Sequence, residues 1–305
     1  MTASLGESTL TQTREPSMVR DLEGYLVLAL GSSVYIEMAA NLAASINVMD
    51  PKRPICLVHD DSIALAPGTS DLFDDFAVLT RDPTFPGVMN KLHVFDFSPY
   101  ADTMFIDADC LMVKANIDRY WAVARDNFFS ITGVRRTSGA WKGLDLASLL
   151  KQEHVPYVIQ MNNGVFTFNR STQPQLFLDG MKSYYMDRRT IIDSLLLSNE
   201  KRHSAELYMG LWMAKSGLDA MRGGGRFGSD SWMVSTWRAF GIHIDPSRSI
   251  SIIRKPRRSV FEVPCPILGW DKLSPTIAHF IGLKPKRLYR RLSEQFQETV
   301  RHARY

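Results

Sequence analysis

The sequence predicts an α/β fold organised around a largely parallel sheet. Three observations carry that expectation. Short uninterrupted apolar runs of strand length recur in the first 110 residues, segments with apolar residues at helical spacing fall between them, and no internal repeat or long Pro/Ser linker divides the chain. Continuous rather than alternating apolar runs mark strands buried on both faces, as parallel strands are.

The elements follow in order. Residues 1–20, rich in Ser, Thr and Glu, read as a flexible tail. Tyr25–Leu30 is the first strand, Tyr35–Val48 places Ala, Leu and Ile at helical spacing, and Pro54–His59 (PICLVH) is the second strand. Phe76–Leu79 is a third strand, Asn90–Phe97 a helix, and Thr103–Ile106 (TMFI) a strand that stops abruptly at acidic residues. Downstream, the spacing predicts a strand over Gly164–Phe168, a helix over Ala205–Ser216, a Gly-rich turn over Gly223–Gly228, a helix over Asp230–Phe240 with Ser229-Asp230 as its N-cap pair, and a last strand over Thr276–Ile281. A basic amphipathic helix is expected over 286–305, so the folded unit spans 21–285.

Composition narrows the class. With 45% hydrophobic and 22% charged residues over 305 positions, the chain is an ordinary globular protein with room for an enzyme core. A net charge of +4 is too small to indicate nucleic acid. Its distribution is uneven: residues 282–305 carry +5 and the other 281 sum to −1. Cys56, Cys110 and Cys265 are odd in number and widely spaced, which excludes a disulfide framework and a Cys-based zinc site. No apolar stretch has the length of a membrane span and Met1–Ser17 lacks the order of a signal peptide, so a cytoplasmic location is expected.

In open parallel sheets, ligands bind beyond the carboxyl ends of the strands. The residues after Ile106 are Asp107-Ala108-Asp109. Two hard carboxylates separated by one residue suit Mg²⁺ or Mn²⁺, and such a cation completes its shell with phosphate oxygens, which anticipates a nucleotide diphosphate; a solvated acidic loop accounts for the same triplet. His279, inside the apolar Ile277–Ile281, is either a core residue or a further ligand, and Gly282 and Lys284 follow it. Asn162-Asn163-Gly164 is good turn chemistry and equally a pair of amides able to bond sugar hydroxyls. Gly223-Gly224-Gly225 lacks the spacing and lysine of a phosphate loop and reads as a turn.

Taken in order, Asn90-Lys91-Leu92, Tyr100–Val113 (YADTMFIDADCLMV), Ala115–Asp118, Met161–Asn169 (MNNGVFTFN) and His279–Pro285 (HFIGLKP) resemble glycosyltransferase family 8, the glycogenin-like retaining transferases of GT-A fold, across roughly residues 24–290. The resemblance implies a single Rossmann-like nucleotide-sugar-binding domain with a mostly parallel sheet. It implies that Asp107, Asp109 and His279 hold Mn²⁺ (or Mg²⁺), which bridges the diphosphate of a UDP-sugar donor. Leu30, Ser32 and Tyr35 match uridine-binding positions, Lys91 and Ala108 lie on the donor, Asn162 and Asn163 are near the donor sugar, and Gly282 and Lys284 match diphosphate contacts. The chain departs from the pattern in two places. Only Leu283 separates Gly282 from Lys284 where the family has two residues, and the family's Asp-Gln pair beside the reacting carbon has no copy. Asp230, 49 residues before His279, is the favoured catalytic carboxylate, with Glu206 as its rival and Asn162 beside them.

The implied reaction is retaining transfer of a sugar to a glycan, lipid-linked or protein acceptor. Leu288, Leu292, Phe296 and Val300 share one helical face among the C-terminal cations, a pattern for peripheral contact with anionic membrane or for packing on the chain's own domain. A homodimer is a further partner to be considered, and nucleic acid is not expected. Two other readings are a haloacid-dehalogenase-like phosphatase, with Asp107 as nucleophile and Asp109 as general acid, and a domain that binds glycan or nucleotide without turnover.

Overall fold

Tyr25, Leu26 and Val27 are wholly buried, and the alternating period of a strand sends Leu26 into one hydrophobic cluster and Tyr25 and Val27 into another. Both faces of the first strand are therefore covered, which is why its sequence is continuously apolar. The computed structural model describes residues 20–60, 65, 68–196, 204–257 and 265–303. The expected N-terminal tail lies outside these except for Arg20, which pairs with Tyr100 in the main sheet.

In chain order the elements are β1 (Arg20–Ala29), α1 (Ser33–Met49), β2 (Ile55–His59), β3 (Asp75–Val78), a 3-10 segment (Gly87–Phe97), β4 (Tyr100–Asp107), β5 (Cys110–Met112), α2 (Asp118–Arg125) and β6 (Phe129–Arg136). Then follow β7 (Ala140–Trp141), β8 (Leu144–Asp145), α3 (Leu146–Glu153), β9 (Val158–Asn169), α4 (Thr172–Ser194) and α5 (Ala205–Lys215). The chain continues through β10 (Arg226–Phe227), β11 (Asp230–Ser235), β12 (Gly241–Asp245), β13 (Ile250–Pro256), β14 (Trp270–His279) and α6 (Lys286–Ala303).

The main sheet has the order β3-β2-β1-β4-β9-β6. The β3-β2-β1-β4 pairings are parallel, whereas β9 runs antiparallel to both β4 and β6. The largely parallel α/β layer expected from the apolar runs is thus present. Leu28 pairs with Asp107 and Ala29 with His59, so the ends of β1, β2 and β4 meet at one edge. A second sheet, β10-β11-β14-β13-β12, reaches that edge because β5 pairs with β14.

Three expectations are corrected. Asn90–Phe97 is 3-10 rather than α-helical; the buried Asn90 amide donates to the carbonyls of Phe85 (2.7 Å) and Gly87 (3.1 Å), fixing the segment through its own turn. The helix expected over Asp230–Phe240 is instead β11, whose Ser231 and Trp232 are buried and which runs parallel to β14. Ser229-Asp230 is accordingly no helix cap. Tertiary pairing here overrides a weak local preference.

The C-terminal helix forms as expected, but its apolar face is not available to a membrane. Tyr289, Leu292, Phe296 and Val300 are buried in the cluster that includes α1 residues Ile36, Ala40 and Ala43. Its cations Arg287, Arg290, Arg291 and Arg301 remain exposed. Among the described residues, no helix is long and apolar enough to cross a membrane.

Candidate functional site

Strand β4 ends at Asp107, and the Ala108-Asp109 turn reverses the chain into β5, which lies antiparallel to β14 with Cys110 opposite His279. The Phe280 N–H donates to the Asp109 carbonyl at 2.9 Å and locks that register. Residues 170 positions apart are thereby opposed: His279 Nε2 lies 3.0 Å from Asp109 Oδ1. His279 is buried and its Nδ1 has no hydrogen-bond partner among the described residues.

The other flank comes from the 3-10 segment and β9. Lys91 Nζ lies 2.6 Å from the Asp107 carboxylate and 3.2 Å from Asn163 Oδ1. Asn163 is buried, and its Nδ2 is unpartnered among the described residues. The Asn162 Oδ1 accepts the Gly164 N–H at 2.9 Å. Gly164 itself faces the imidazole, and a Cβ there would lie 2.9 Å from His279 Nδ1 and 3.0 Å from Asn162 Oδ1. The Asn-Asn-Gly run is therefore part of a β-strand whose glycine admits the histidine, not a surface turn.

The donor set fits a hard divalent cation. Ligand atoms of Asp109, Cys110 and His279 lie within 4.8 Å of one another. Complete burial, then the neighbouring Asp109 and Asp107 carboxylates, push the thiol of the metal-free Cys110 well above its usual range. Asp107, at the same turn, is not one of that group, and its carboxylate is engaged by Lys91 at 2.6 Å. Oxygen donors with one imidazole suit Mn²⁺ or Mg²⁺ better than a thiophilic ion.

On the β1 side, Leu30 and Ser32 are half-buried, and Ser32 caps α1 by accepting the Val34 N–H at 3.3 Å. Tyr35 is exposed in the first turn of α1, its ring open to a planar partner. Sequence reasoning missed Asp60 beside them. Asp60, buried just past β2, accepts the Gly31 N–H, and Arg81 stands 3.7 Å from its carboxylate. The strand-end rule that identified Asp107 applies equally to Asp60. Thr236 was also missed: its N–H donates to the His279 carbonyl at 2.9 Å and its hydroxyl is 2.5 Å from the Lys284 carbonyl, tying β11 to the turn after His279.

Gly282 in that turn has φ of 60° and open space where a Cβ would stand. Lys284 is exposed, with its ammonium 5.2 Å from the Trp237 ring centroid and in no ion pair among the described residues. Ala108 is buried in the metal-side turn.

Asp230, the carboxylate favoured at the reacting carbon, is not brought to this cluster. Asp230 pairs with Ser274 and Ser235 with His279, so five strand residues at about 3.3 Å each put Asp230 roughly 16 Å along β14 from the histidine. It is bound there by Lys114, by Asn116 (3.1 Å) and by Arg119 (2.8 Å). Burial raises its carboxyl pKa, but Lys114 and Arg119 outweigh that and hold it below the ordinary range. Glu206, in the first turn of α5, forms an ion pair with Lys142. A separate groove of about 1260 Å³ runs between α1 and α6, past Glu37, Asn41, Arg290 and Arg301, and contains none of the carboxylate–imidazole cluster.

No protein-family model and no curated protein matches the chain. Among solved structures it is similar to the galactosyltransferase LgtC in complex with donor and acceptor sugar analogues, at 14% identity and a TM-score of 0.43, covering 70% of this chain and 76% of that one. It is similar to the glycosyltransferase GlyE of Streptococcus pneumoniae TIGR4 (12%, TM-score 0.41, 66% of this chain and 45% of that one) and to the bifunctional glycosyltransferase WbbM (14%, TM-score 0.43, 73% and 40%). This chain thus spans less than half of the GlyE and WbbM chains.

Proposed function

We propose that the protein is a metal-dependent glycosyltransferase of GT-A type that takes a nucleotide diphosphate sugar, with UDP as the nucleotide, as donor. The observation that carries the reading is the apposition of Asp109 and His279 at the carboxyl edge of β4, with Lys91 bridging Asp107 and Asn163 beside them. Asp107, Asp109 and His279 would hold the Mn²⁺ or Mg²⁺. When bound, that cation neutralises charge that develops on the departing diphosphate.

The chain's own groups do the rest. Lys91 supplies a fixed positive charge at the diphosphate edge, half-shielded from water, where charge stabilisation is strongest. Tyr35 offers a face for the base, and the Ser32 and Leu30 backbone borders the ribose. Asn162, its carbonyl oxygen already taken by the Gly164 N–H, keeps two amide N–H donors for a sugar hydroxyl. The acceptor is a glycan, lipid-linked or protein hydroxyl, and transfer with retention follows from the family resemblance.

Thermal unfolding with Mn²⁺ alone, UDP alone and both together, against GDP and ADP, tests the donor assignment. Both ligands at 100 times the dissociation constant should add about 2.7 kcal/mol, roughly a 3–8 °C rise. The rise should vanish in Asp109→Ala and His279→Ala, whose cooperative unfolding without ligand is retained. No nucleotide response would overturn the reading, and phosphate release from phosphomonoesters would then favour the phosphatase.

A second reading has its own support. With Asp230 engaged by three partners far from His279 and Glu206 paired to Lys142, a donor-binding domain without transfer activity fits the same cluster. UDP-sugar turnover, measured as released UDP with and without simple sugar acceptors, separates the two.

A further inference from the structure

At one end of the second sheet, large apolar side chains stand in solvent where a soluble surface would bury or replace them. Phe240, 70% exposed, closes the loop between β11 and β12 and meets the exposed Trp270 edge to face at 5.2 Å. Ile267, 96% exposed, and Leu268 occupy the turn that leads into Trp270, and Trp237 lies three residues before Phe240. These are exposures among the described residues, which exclude 258–264. The backbone holds the group together: the Phe240 N–H donates to the Arg254 carbonyl at 3.1 Å, and Pro256 pairs with Trp270.

The ring around this apolar tip is cationic. Arg238, Arg254 and Lys272 are exposed on its flanks. Phe240 shares a groove with Pro285, Leu288, Arg287 and Arg291, so the patch continues into the first turns of α6. Among the described residues Asp271 is a nearby carboxylate, and it is engaged by Arg257 at 3.4 Å. Aromatic and aliphatic tips surrounded by Arg and Lys combine insertion into the acyl boundary with attraction to a negative surface, the two terms that together hold a protein on a membrane.

We propose that this tip, Trp237, Phe240, Ile267, Leu268 and Trp270 with Arg254, Lys272, Arg287 and Arg291 around it, docks the protein on an anionic phospholipid bilayer. The occupant is set by charge: a neutral hydrophobic partner would leave the cations unmatched, and a second copy would oppose one cationic ring to another. The docking surface is distinct from the α6 apolar face, which is packed against α1. It does not depend on the transferase reading, and it would hold the chain at the bilayer whichever reaction the Asp109–His279 cluster performs.

Flotation with vesicles of phosphatidylcholine alone and of phosphatidylcholine with phosphatidylglycerol tests it on the full chain. The wild type should float with the anionic vesicles only. Phe240→Ser with Trp270→Ser, and separately Arg287→Glu with Arg291→Glu, should each lower the bound fraction about tenfold or more. Because these side chains are exposed, unfolding temperatures should stay near wild type. Tryptophan quenching by bromolipid in the wild type gives a readout free of mutation, since of the six tryptophans Trp121, Trp141 and Trp232 are buried, Trp212 is packed against the core, and only Trp237 and Trp270 are exposed. Absence of anionic-vesicle binding, equal binding by all variants, or a dimer in sedimentation that dissociates on Phe240→Ser would each overturn the proposal.

Discussion

Gly164→Ala isolates the packing of the candidate metal site from its ligands. The added methyl would stand 2.9 Å from His279 Nδ1 and 3.0 Å from its Cε1. Non-bonded heavy atoms prefer about 3.5 Å or more, so the ring must give by roughly half an ångström. It has little room, being buried and held on its far side by Asp109 at 3.0 Å. Gly164 is not in the left-handed region and sits within β9, so an alanine suits the backbone and the test reads contact alone. Overpacking of this kind costs about 1–3 kcal/mol of stability. Displacement of a ligand by a supporting residue lowers metal affinity about 10- to 100-fold. Calorimetric titration of Mn²⁺ in the presence of UDP, paired with urea unfolding of the ligand-free chain, measures both. Unchanged Mn²⁺ affinity together with unchanged stability would refute the claim that β9 supports the histidine.

The remaining expectations concern Lys91, Asp230 and α6. Lys91→Met removes the cation shared by Asp107 and Asn163, and loss of a hydrogen bond to a charged group, about 1.5–3 kcal/mol, should weaken UDP-sugar binding roughly 10- to 100-fold in an isothermal titration. Asp230→Asn should leave Mn²⁺-dependent UDP binding intact and cost about 1–3 kcal/mol of stability at pH 7, read by urea unfolding. The sign with pH is fixed by a folded pKa below the unfolded value of about 3.9: this stabilisation is complete above about pH 5 and is lost as pH falls through the folded pKa, so wild type and variant should converge in acid. Phe296→Ala should cost about 3–5 kcal/mol in the same assay, because α6 is part of the core; a silent substitution would restore the alternative in which the apolar face of α6 contacts a membrane.

Strands β1, β2 and β4 were legible because they are largely buried and announce themselves as unbroken apolar runs, whereas β6 of the same sheet, open at its Val134–Arg136 end, was missed. The second sheet was less legible. Strands β12 and β13 were missed because Gly241–Asp245 buries only Ile244, Ile250–Pro256 alternates buried with open positions, and the two include Arg, Lys and His; β11 was read as a helix. Short half-buried strands of this kind carry a weak local signal, and what makes them strands is their pairing with β14.

The same distinction decides which site residues could be read. Asp107 and Asp109 were visible because a strand end and two carboxylates occupy one stretch of chain. That His279 joins them follows from β5, a three-residue strand which seats Cys110 opposite His279, and no spacing rule reports such a pairing. Asp230 failed for the converse reason. Its distance from His279 in sequence was compatible with the site, but once Asp230–Ser235 is a strand parallel to β14, sequence separation becomes length along the sheet, and the carboxylate at its first residue is carried to the opposite end. There Lys114, Asn116 and Arg119 neutralise it, so the charge that suggested catalysis ties β11 to the α2 side of the molecule. Asp109, faced by a single imidazole, keeps the charge that Asp230, held by Lys114, Asn116 and Arg119, has given up.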